Sequence, residues 1–168
     1  MNNKELESFL KKFSPKAYDL AYSLVPDDLQ ASQIVVDAST NFILSEKEWL
    51  HSLHWTGLTK SEESELNKDL CLYLMKSVFS LALVRFSQLP NLNFNSSAKF
   101  FKLDGKTRAI VLLKYKENFS IPEIMEITTL QKSEVMSRLF QGGEILGEAP
   151  VVKLRELPPE LPKDLNHF

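Results

Sequence analysis

KTRAIVLLKYKENFSIPEIMEITTLQKSEVMSRLFQGGEIL, residues 106–146, is the stretch that decides the fold. Its apolar residues recur at helical spacing, and two short breaks, at 116–118 and at 128–131, divide it into three predicted helices. The second helix begins at Ser120, whose hydroxyl can cap the N–H of Glu123 while that carboxylate reaches back. Pro122 lies in the first turn, where a missing N–H costs little. The third helix runs from about Lys132.

A short capped helix, a break of about four residues and a longer helix are typical of a helix-turn-helix, which places its last helix in the DNA major groove. The residues that this helix would present to DNA are Lys132, Ser133, Met136, Ser137 and Arg138. A three-helix bundle that touches no nucleic acid fits the same pattern. Arg138 in particular could instead pair with Glu134, one helical turn earlier.

The same residues resemble region four of the extracytoplasmic-function bacterial sigma factors. That family's pattern has an apolar helix ending in Leu-Leu-x-Tyr, then Gly-x-Ser-x-x-Glu-Ile-Ala, then a helix containing Val-Lys-Ser-Arg-Leu. The matching residues here are Leu112, Leu113, Tyr115, Ser120, Glu123, Ile124, Val135, Ser137, Arg138 and Leu139. The chain departs from the pattern at residues 140–143, where the family has further arginines, and at Asn118 and near Thr129, where it has glycine.

The composition predicts a helical binding protein without catalytic machinery. The chain has 43% apolar residues, a formal charge of −2 and five glycines. It shows no Gly-rich phosphate loop, no paired-His metal motif and no nucleophile with a base, so neither an enzyme nor a cofactor is expected. The lone cysteine, Cys71, is predicted to lie in the core. A polar N-terminus, and an apolar segment at 70–86 that is short and contains Lys76 and Arg85, predict a cytoplasmic protein without membrane insertion.

The N-terminal half reads as further helices. One is predicted to end near Phe13, a second to start at Ser14-Pro15, and a third to start at Asp27 and Asp28. Another begins at about Ser61 and is apolar nearly all round over 70–86, which predicts a central position. The expected architecture is all-α: a helical domain at 1–87, a linker at 88–102, a helix-turn-helix domain at 103–146 and a Pro-rich tail at 147–168.

Residues 15–43 also resemble sigma region two, through Ala17, Leu20, Ala21, Leu24, Ala31, Ile34, Val35 and Asp37. The resemblance implies docking on a coiled coil of core RNA polymerase through Asp28, Gln30, Gln33 and Asp37. The alternative for these four residues is an ordinary solvated helix face. The resemblance also places the segment at 70–86 where the family has its promoter-melting helix, with Lys76 and Arg85 as DNA contacts.

Between these helices, residues 49–59 would lie where the family captures a flipped promoter base, and the candidate stacking residues are Trp49, His51, His54 and Trp55. The tryptophans could equally be core residues, and the two histidines lack a third metal ligand nearby. Several cations of the family pattern are apolar here. Residues 1–88 contain nine Lys and Arg against twelve Asp and Glu, which is a poor surface for phosphates.

The sequence therefore predicts a sigma-factor-like protein that binds core RNA polymerase and promoter DNA, with an anti-sigma protein as a further possible partner. The alternative is a sigma-like protein that has lost promoter binding and acts through protein contacts. A basic stripe formed by Lys132, Arg138, Lys106, Arg108 and Lys114 would favour DNA, and intermixed charges would favour the alternative. A stand-alone helix-turn-helix repressor would leave the N-terminal half unexplained.

Overall fold

A computed structural model describes residues 3–45, 59–88 and 98–146. Over these residues the chain is all-helical, as predicted, and contains no strand. The elements are α1 (Asn3–Leu24), α2 (Asp28–Ser45), α3 (Lys60–Gln88), a 3₁₀ helix (Lys99–Lys102), α4 (Gly105–Tyr115), α5 (Ile121–Thr128) and α6 (Lys132–Leu146). The predicted base-capturing loop apart from Thr59, most of the predicted linker and the predicted Pro-rich tail lie outside the described residues.

The predicted break at Ser14-Pro15 is wrong, because α1 continues through Pro15. Proline removes one main-chain hydrogen bond and crowds the preceding turn, which normally ends or kinks a helix. Here the buried stripe of Phe9, Phe13 and Ala17 runs straight past the exposed Pro15. Packing of that stripe offsets the local cost, since most helical stability in proteins comes from tertiary contacts.

Side-chain caps set the starts of the next two helices. Asp27 accepts a hydrogen bond from the N–H of Gln30 across 2.8 Å, which confirms the predicted start of α2. Helix α3 begins at Lys60, one residue before the predicted Ser61, and its N-cap is Thr59. Thr59 and Glu62 form a reciprocal capping box: the Thr59 N–H donates to the Glu62 carboxylate at 2.8 Å, and the Glu62 N–H donates to the hydroxyl at 3.3 Å.

Helix α3 is the central helix. It packs against α1, α2 and α5, and its middle contributes eight buried residues, including Cys71, whose predicted core position is confirmed. By length and composition α3 could cross a membrane: its most apolar 18-residue window has a mean hydropathy of 1.5, and 44% of that window is buried within the protein. The core helix of a soluble protein passes the same test, and the predicted absence of membrane insertion stays a prediction.

The two predicted domains share one cluster of buried side chains. Helix α4 packs on α1 and α5 packs on α3, while α6 packs on α4 and α5. Three ion pairs cross the contact: Lys16–Glu117 at 3.1 Å, Lys116–Asp19 at 2.6 Å and Lys68–Glu123 at 2.7 Å. The all-α class is therefore confirmed, whereas the described helices form a continuous core and the separation into two domains stays a prediction.

Candidate nucleic-acid and protein interface

Helices α5 and α6 form a capped helix, a tight turn and a longer helix, supported from behind by α4. The predicted capping box is present: the Ser120 N–H donates to the Glu123 carboxylate at 2.6 Å, and the Glu123 N–H donates to the Ser120 hydroxyl at 3.4 Å. Thr129 then ends α5 in the left-handed conformation, with φ of 57°. Buried Ile124, Ile127 and Val135 hold the two helices together. The predicted succession of a capped short helix, a tight turn and a longer helix is therefore present.

The first half of α6 presents most of the predicted DNA contacts to solvent. Lys132, Ser133 and Ser137 are exposed, and Met136 is 49% exposed. Phe140, one turn beyond Met136, is 70% exposed and was missed as a surface residue. Its signal in the sequence was its i+4 spacing from Met136, which places both residues about 100° around the helix from the buried Val135 and Leu139. The outer face of α6 is thus mixed, with one cation, two hydroxyls and two large apolar side chains.

Arg138 differs from the other predicted contacts because its guanidinium is held by neighbouring side chains. It contacts the Glu134 carboxylate at 3.1 Å and the Asp104 carboxylate at 2.9 Å, and it donates to the Thr107 hydroxyl at 3.2 Å. The pairing with Glu134 is the alternative that the sequence left open. Because the partners occupy its donors, Arg138 acts in this arrangement as a link between α6 and the start of α4.

Asp104 is the second anchor of that link, and sequence reasoning missed it. It caps α4 by accepting from the N–H and hydroxyl of Thr107, at 3.2 and 2.6 Å. Partial burial acts to raise the pKa of its carboxyl, but the Thr107 hydrogen bonds and the Arg138 charge outweigh burial and lower it. An Asp three residues before Thr at a helix start was the signal in the sequence.

The five basic residues whose arrangement would separate DNA binding from the alternative do not form a contiguous stripe. Arg108 is buried, 3% exposed, so it cannot belong to a surface. Arg138 lies between two carboxylates, and Lys106 and Lys114 are half-buried. Of these five residues only Lys132 is exposed, and carboxylates are intermixed with the cations on α6.

On the N-terminal half, one predicted DNA contact and three predicted polymerase contacts form a single polar cluster. Arg85 of α3 contacts Asp37 at 3.3 Å and Gln30 at 3.4 Å, and Gln33 donates to Asp37 at 2.8 Å. Asp28 instead accepts from the Tyr18 hydroxyl at 2.6 Å. Burial, followed by the Asp28 hydrogen bond, raises the pKa of that phenol. These groups are engaged within the fold.

Apolar residues make up much of the exposed face of α2. Leu29 is 76% exposed and Val36 is 57% exposed, with exposed Gln33 between them. Their seven-residue spacing, on the face opposite Ala31 and Ile34, was the available signal. Leu29 and Val36 are therefore candidate contacts for a protein partner.

The remaining predicted residues do not join these two surfaces. Lys76 is exposed on α3 without an ion pair among the described residues. Trp49, His51, His54 and Trp55 lie outside the described residues. Over the part of the chain that the structure describes, no three His, Cys, Asp or Glu side chains gather as metal ligands would.

Comparison with known proteins does not assign the chain. No protein-family model matches it, and no curated protein matches it significantly. The resemblance to sigma factors therefore rests on the residues quoted above.

Proposed function

We propose that this protein is a sigma-factor-like transcription initiation protein of the cytoplasm, which docks on core RNA polymerase and contacts promoter DNA through its helix-turn-helix. The observation that carries the proposal is the capped α5, the tight turn at Thr129 and the exposed first half of α6. This is the geometry by which a recognition helix enters a major groove. The order of a region-two-like half before a region-four-like half supports it further.

In this proposal α6 reads DNA with few charges. Lys132, at the N-terminal end of α6, would contact a phosphate, since helix N-termini and ammonium groups both favour anions. The Ser133 and Ser137 hydroxyls would hydrogen-bond base edges or phosphates, and Met136 would pack on a thymine methyl group. Arg138 would be a positioning residue that fixes α6 on α4. Such an interface would bind weakly without the polymerase, because phosphate contacts supply most non-specific affinity.

The polymerase-docking surface in this proposal is the exposed face of α2. Leu29 and Val36 would supply the apolar contacts, and Gln33 would supply hydrogen bonds at the rim. The cluster of Arg85, Gln30 and Asp37 would hold α2 on α3 beneath that face.

A second candidate is a regulatory module that keeps the fold but acts only through protein contacts, for instance with an anti-sigma-type partner. The specific observation in its favour is the outer face of α6, where Phe140 and Met136 are exposed and Arg138 is neutralised by two carboxylates. Large apolar side chains beside few cations suit a protein surface better than a phosphate backbone.

The experiment that separates the two candidates is a pull-down of purified bacterial core RNA polymerase, followed by a salt titration of promoter-DNA binding by the complex. A sigma-like protein binds core, and its complex holds promoter DNA with an affinity that falls steeply between about 50 and 200 mM salt. A Leu29→Asp/Val36→Asp variant should lose core binding, while Lys11→Ala on the exposed side of α1 should keep it. Core binding without any gain in promoter binding would support the protein-directed candidate, and no core binding would refute the sigma-like function.

A further inference from the structure

A groove of about 670 Å³ lies where α1, the first half of α3 and the turn between α4 and α5 meet. Its volume falls in the range of small-molecule sites, roughly 300–1,000 Å³. No residue of α6 lines it, so the groove is separate from the proposed DNA-binding face. Both halves of the chain contribute to its walls, and a ligand there would touch α1, α3 and the α4–α5 turn together.

Lysines dominate the rim of this groove. Lys12 and Lys16 come from α1, and Lys60 and Lys68 come from α3. Lys16 is paired with Glu117 at 3.1 Å, and Lys68 is paired with Glu123 at 2.7 Å. Glu63 is the third carboxylate of the lining, so four positive charges face three negative ones.

The two other lysines of the lining are the candidate charges for binding a ligand. Lys12 and Lys60 are both exposed, and neither forms an ion pair within the described residues. The Lys12 ammonium lies 5.2 Å from the centre of the Phe13 ring, which keeps it against the groove wall. One of the two lysines comes from α1 and the other from α3, and with them the lining carries one more positive than negative charge, in a chain whose net charge is −2.

Neutral donors and an apolar floor complete the lining. Ser64 and Asn67 of α3 and Asn118 of the turn bring a hydroxyl and two amides into the groove. The floor contains buried Phe119 and the buried Cys71 thiol, whose pKa is raised to about 11, chiefly by burial. Charge–charge attraction is stronger beside such a low-dielectric floor than in open water. Ammonium, hydroxyl and amide donors together suit an oxyanion with several acceptor oxygens.

We propose that this groove binds a small phosphorylated ligand, with Lys12 and Lys60 holding the phosphate oxygens and Asn67 and Asn118 supplying further donors. Because the ligand would contact both halves of the chain in their packed arrangement, its binding would stabilise that arrangement. The inference does not depend on the proposed transcription function, since no residue of the DNA- or polymerase-binding faces takes part.

The test is a titration of the full chain with inorganic pyrophosphate at constant ionic strength, followed by amide NMR shifts. We expect saturable shifts concentrated at Ser64, Asn67, Asn118 and Phe119. Lys12→Ala and Lys60→Ala should each weaken pyrophosphate binding about fivefold or more, while Lys11→Ala, the exposed neighbour of Lys12 outside the groove, should change it less than twofold.

Three results would overturn the proposal. One is the absence of saturation up to about 10 mM pyrophosphate, an affinity too weak for a built site. Another is an equal loss in Lys11→Ala, which would show that pyrophosphate merely samples surface lysines. The third is that a short DNA duplex shifts the groove resonances at lower concentration than pyrophosphate does, which would assign the lysines to a nucleic-acid backbone.

Discussion

Arg108 of α4 donates its Nε hydrogen to the main-chain carbonyl oxygen of Ser23 across 2.6 Å, and its Nη2 lies 3.4 Å from the carbonyl oxygen of Leu24. Both carbonyls belong to the last turn of α1, where no main-chain N–H is available to satisfy them. A buried cation at this end of the helix also favours its dipole. The guanidinium also donates to the main-chain carbonyl oxygen of Leu103 at 2.7 Å. One side chain thus joins the C-terminal half of the chain to α1.

Replacing Arg108 by methionine tests this link. The methionine fills much of the space but donates nothing, so buried carbonyl oxygens lose their partners, and we expect a loss of about 2–4 kcal/mol in the free energy of unfolding. Urea denaturation followed by circular dichroism measures it. Lys106→Met, at a half-buried position of the same helix, is the control and should change stability by about 0.5 kcal/mol or less. Equal effects in the two variants would contradict the capping role of Arg108.

Two adjacent glycines of α6 should respond oppositely to alanine. A Cβ on Gly142 would lie 2.5 Å from Cγ2 of Val111 in α4, so Gly142→Ala must push the helices apart and should cost about 1–3 kcal/mol. Gly143 is half-exposed in the same helix turn, and Gly143→Ala should stabilise by about 0.5–1 kcal/mol through helix propensity alone. Thermal unfolding of both variants measures the contrast, and a stabilised Gly142→Ala would mean that α6 lies farther from α4.

The parts of the fold that were predicted correctly from the sequence are those set by neighbours along the chain. The caps at Asp27 and Ser120 depend on residues three positions away, and the sequence displays them directly. The continuity of α1 through Pro15 could not be predicted locally, because it depends on packing against other helices. The packing of the C-terminal half against α1 could not be predicted locally either, since Arg108 and Ser23 are 85 residues apart in the sequence.

The candidate site shows the same division. The exposure of Lys132, Ser133 and Ser137 followed from helical periodicity. The Glu134 partner of Arg138 was visible as an alternative at i−4, but the Asp104 partner is 34 residues away and depends on how α6 crosses α4. A residue's type and spacing can nominate it for DNA contact, but only tertiary structure shows whether its charge is already engaged.

Thr129 should tolerate, and gain from, the glycine that the sigma-factor pattern has near this position. Its φ of 57° is unfavourable for a β-branched residue, and the left-handed region costs non-glycine residues roughly 1–2 kcal/mol. Glycine relieves this strain, but its more flexible unfolded state offsets part of the gain. We therefore expect Thr129→Gly to stabilise the protein by a net amount of about 0.5–1 kcal/mol. Asn118, with φ of 59°, is the control: asparagine adopts this region readily, so Asn118→Gly should change little. Chemical denaturation compares the two, and a destabilised Thr129→Gly would sink this account of the turn.

Acid should weaken the attachment of α5 to α3 through Glu123. Partial burial acts to raise the pKa of this carboxyl, but hydrogen bonds from Lys68 and Ser120 outweigh burial and lower it to about 2. A carboxyl whose pKa is lower in the folded than in the unfolded chain stabilises the fold at any pH above its unfolded-state pKa of about 4.3. This contribution is lost as the pH falls from about 5 towards 2.

The measurement is the difference in unfolding free energy between the unmodified chain and Glu123→Gln as a function of pH. Glutamine keeps an acceptor for the cap but loses the ion pair with the exposed Lys68, so the variant should be less stable by about 0.5–1 kcal/mol at pH 6. The difference should shrink steadily below pH 5. A gap that stays constant down to pH 2.5 would show that the carboxylate charge contributes nothing.

Lys132 and Arg138 should differ in their effects: replacing Lys132 should change DNA binding, whereas replacing Arg138 should change stability. Lys132 is exposed without an ion pair among the described residues, so Lys132→Ala should leave stability unchanged and lower the salt slope of promoter binding by about 0.9. Arg138 is held by Asp104 and Glu134, so Arg138→Ala should cost about 1 kcal/mol of stability and change the salt slope little. Fluorescence anisotropy of the polymerase complex on promoter DNA, paired with urea denaturation, measures both quantities. If Arg138→Ala instead lowered the salt slope of promoter binding by about 0.9, Arg138 would have to leave its carboxylate partners and bind phosphate. Unchanged promoter binding in both variants would indicate that α6 contacts a protein partner and not DNA.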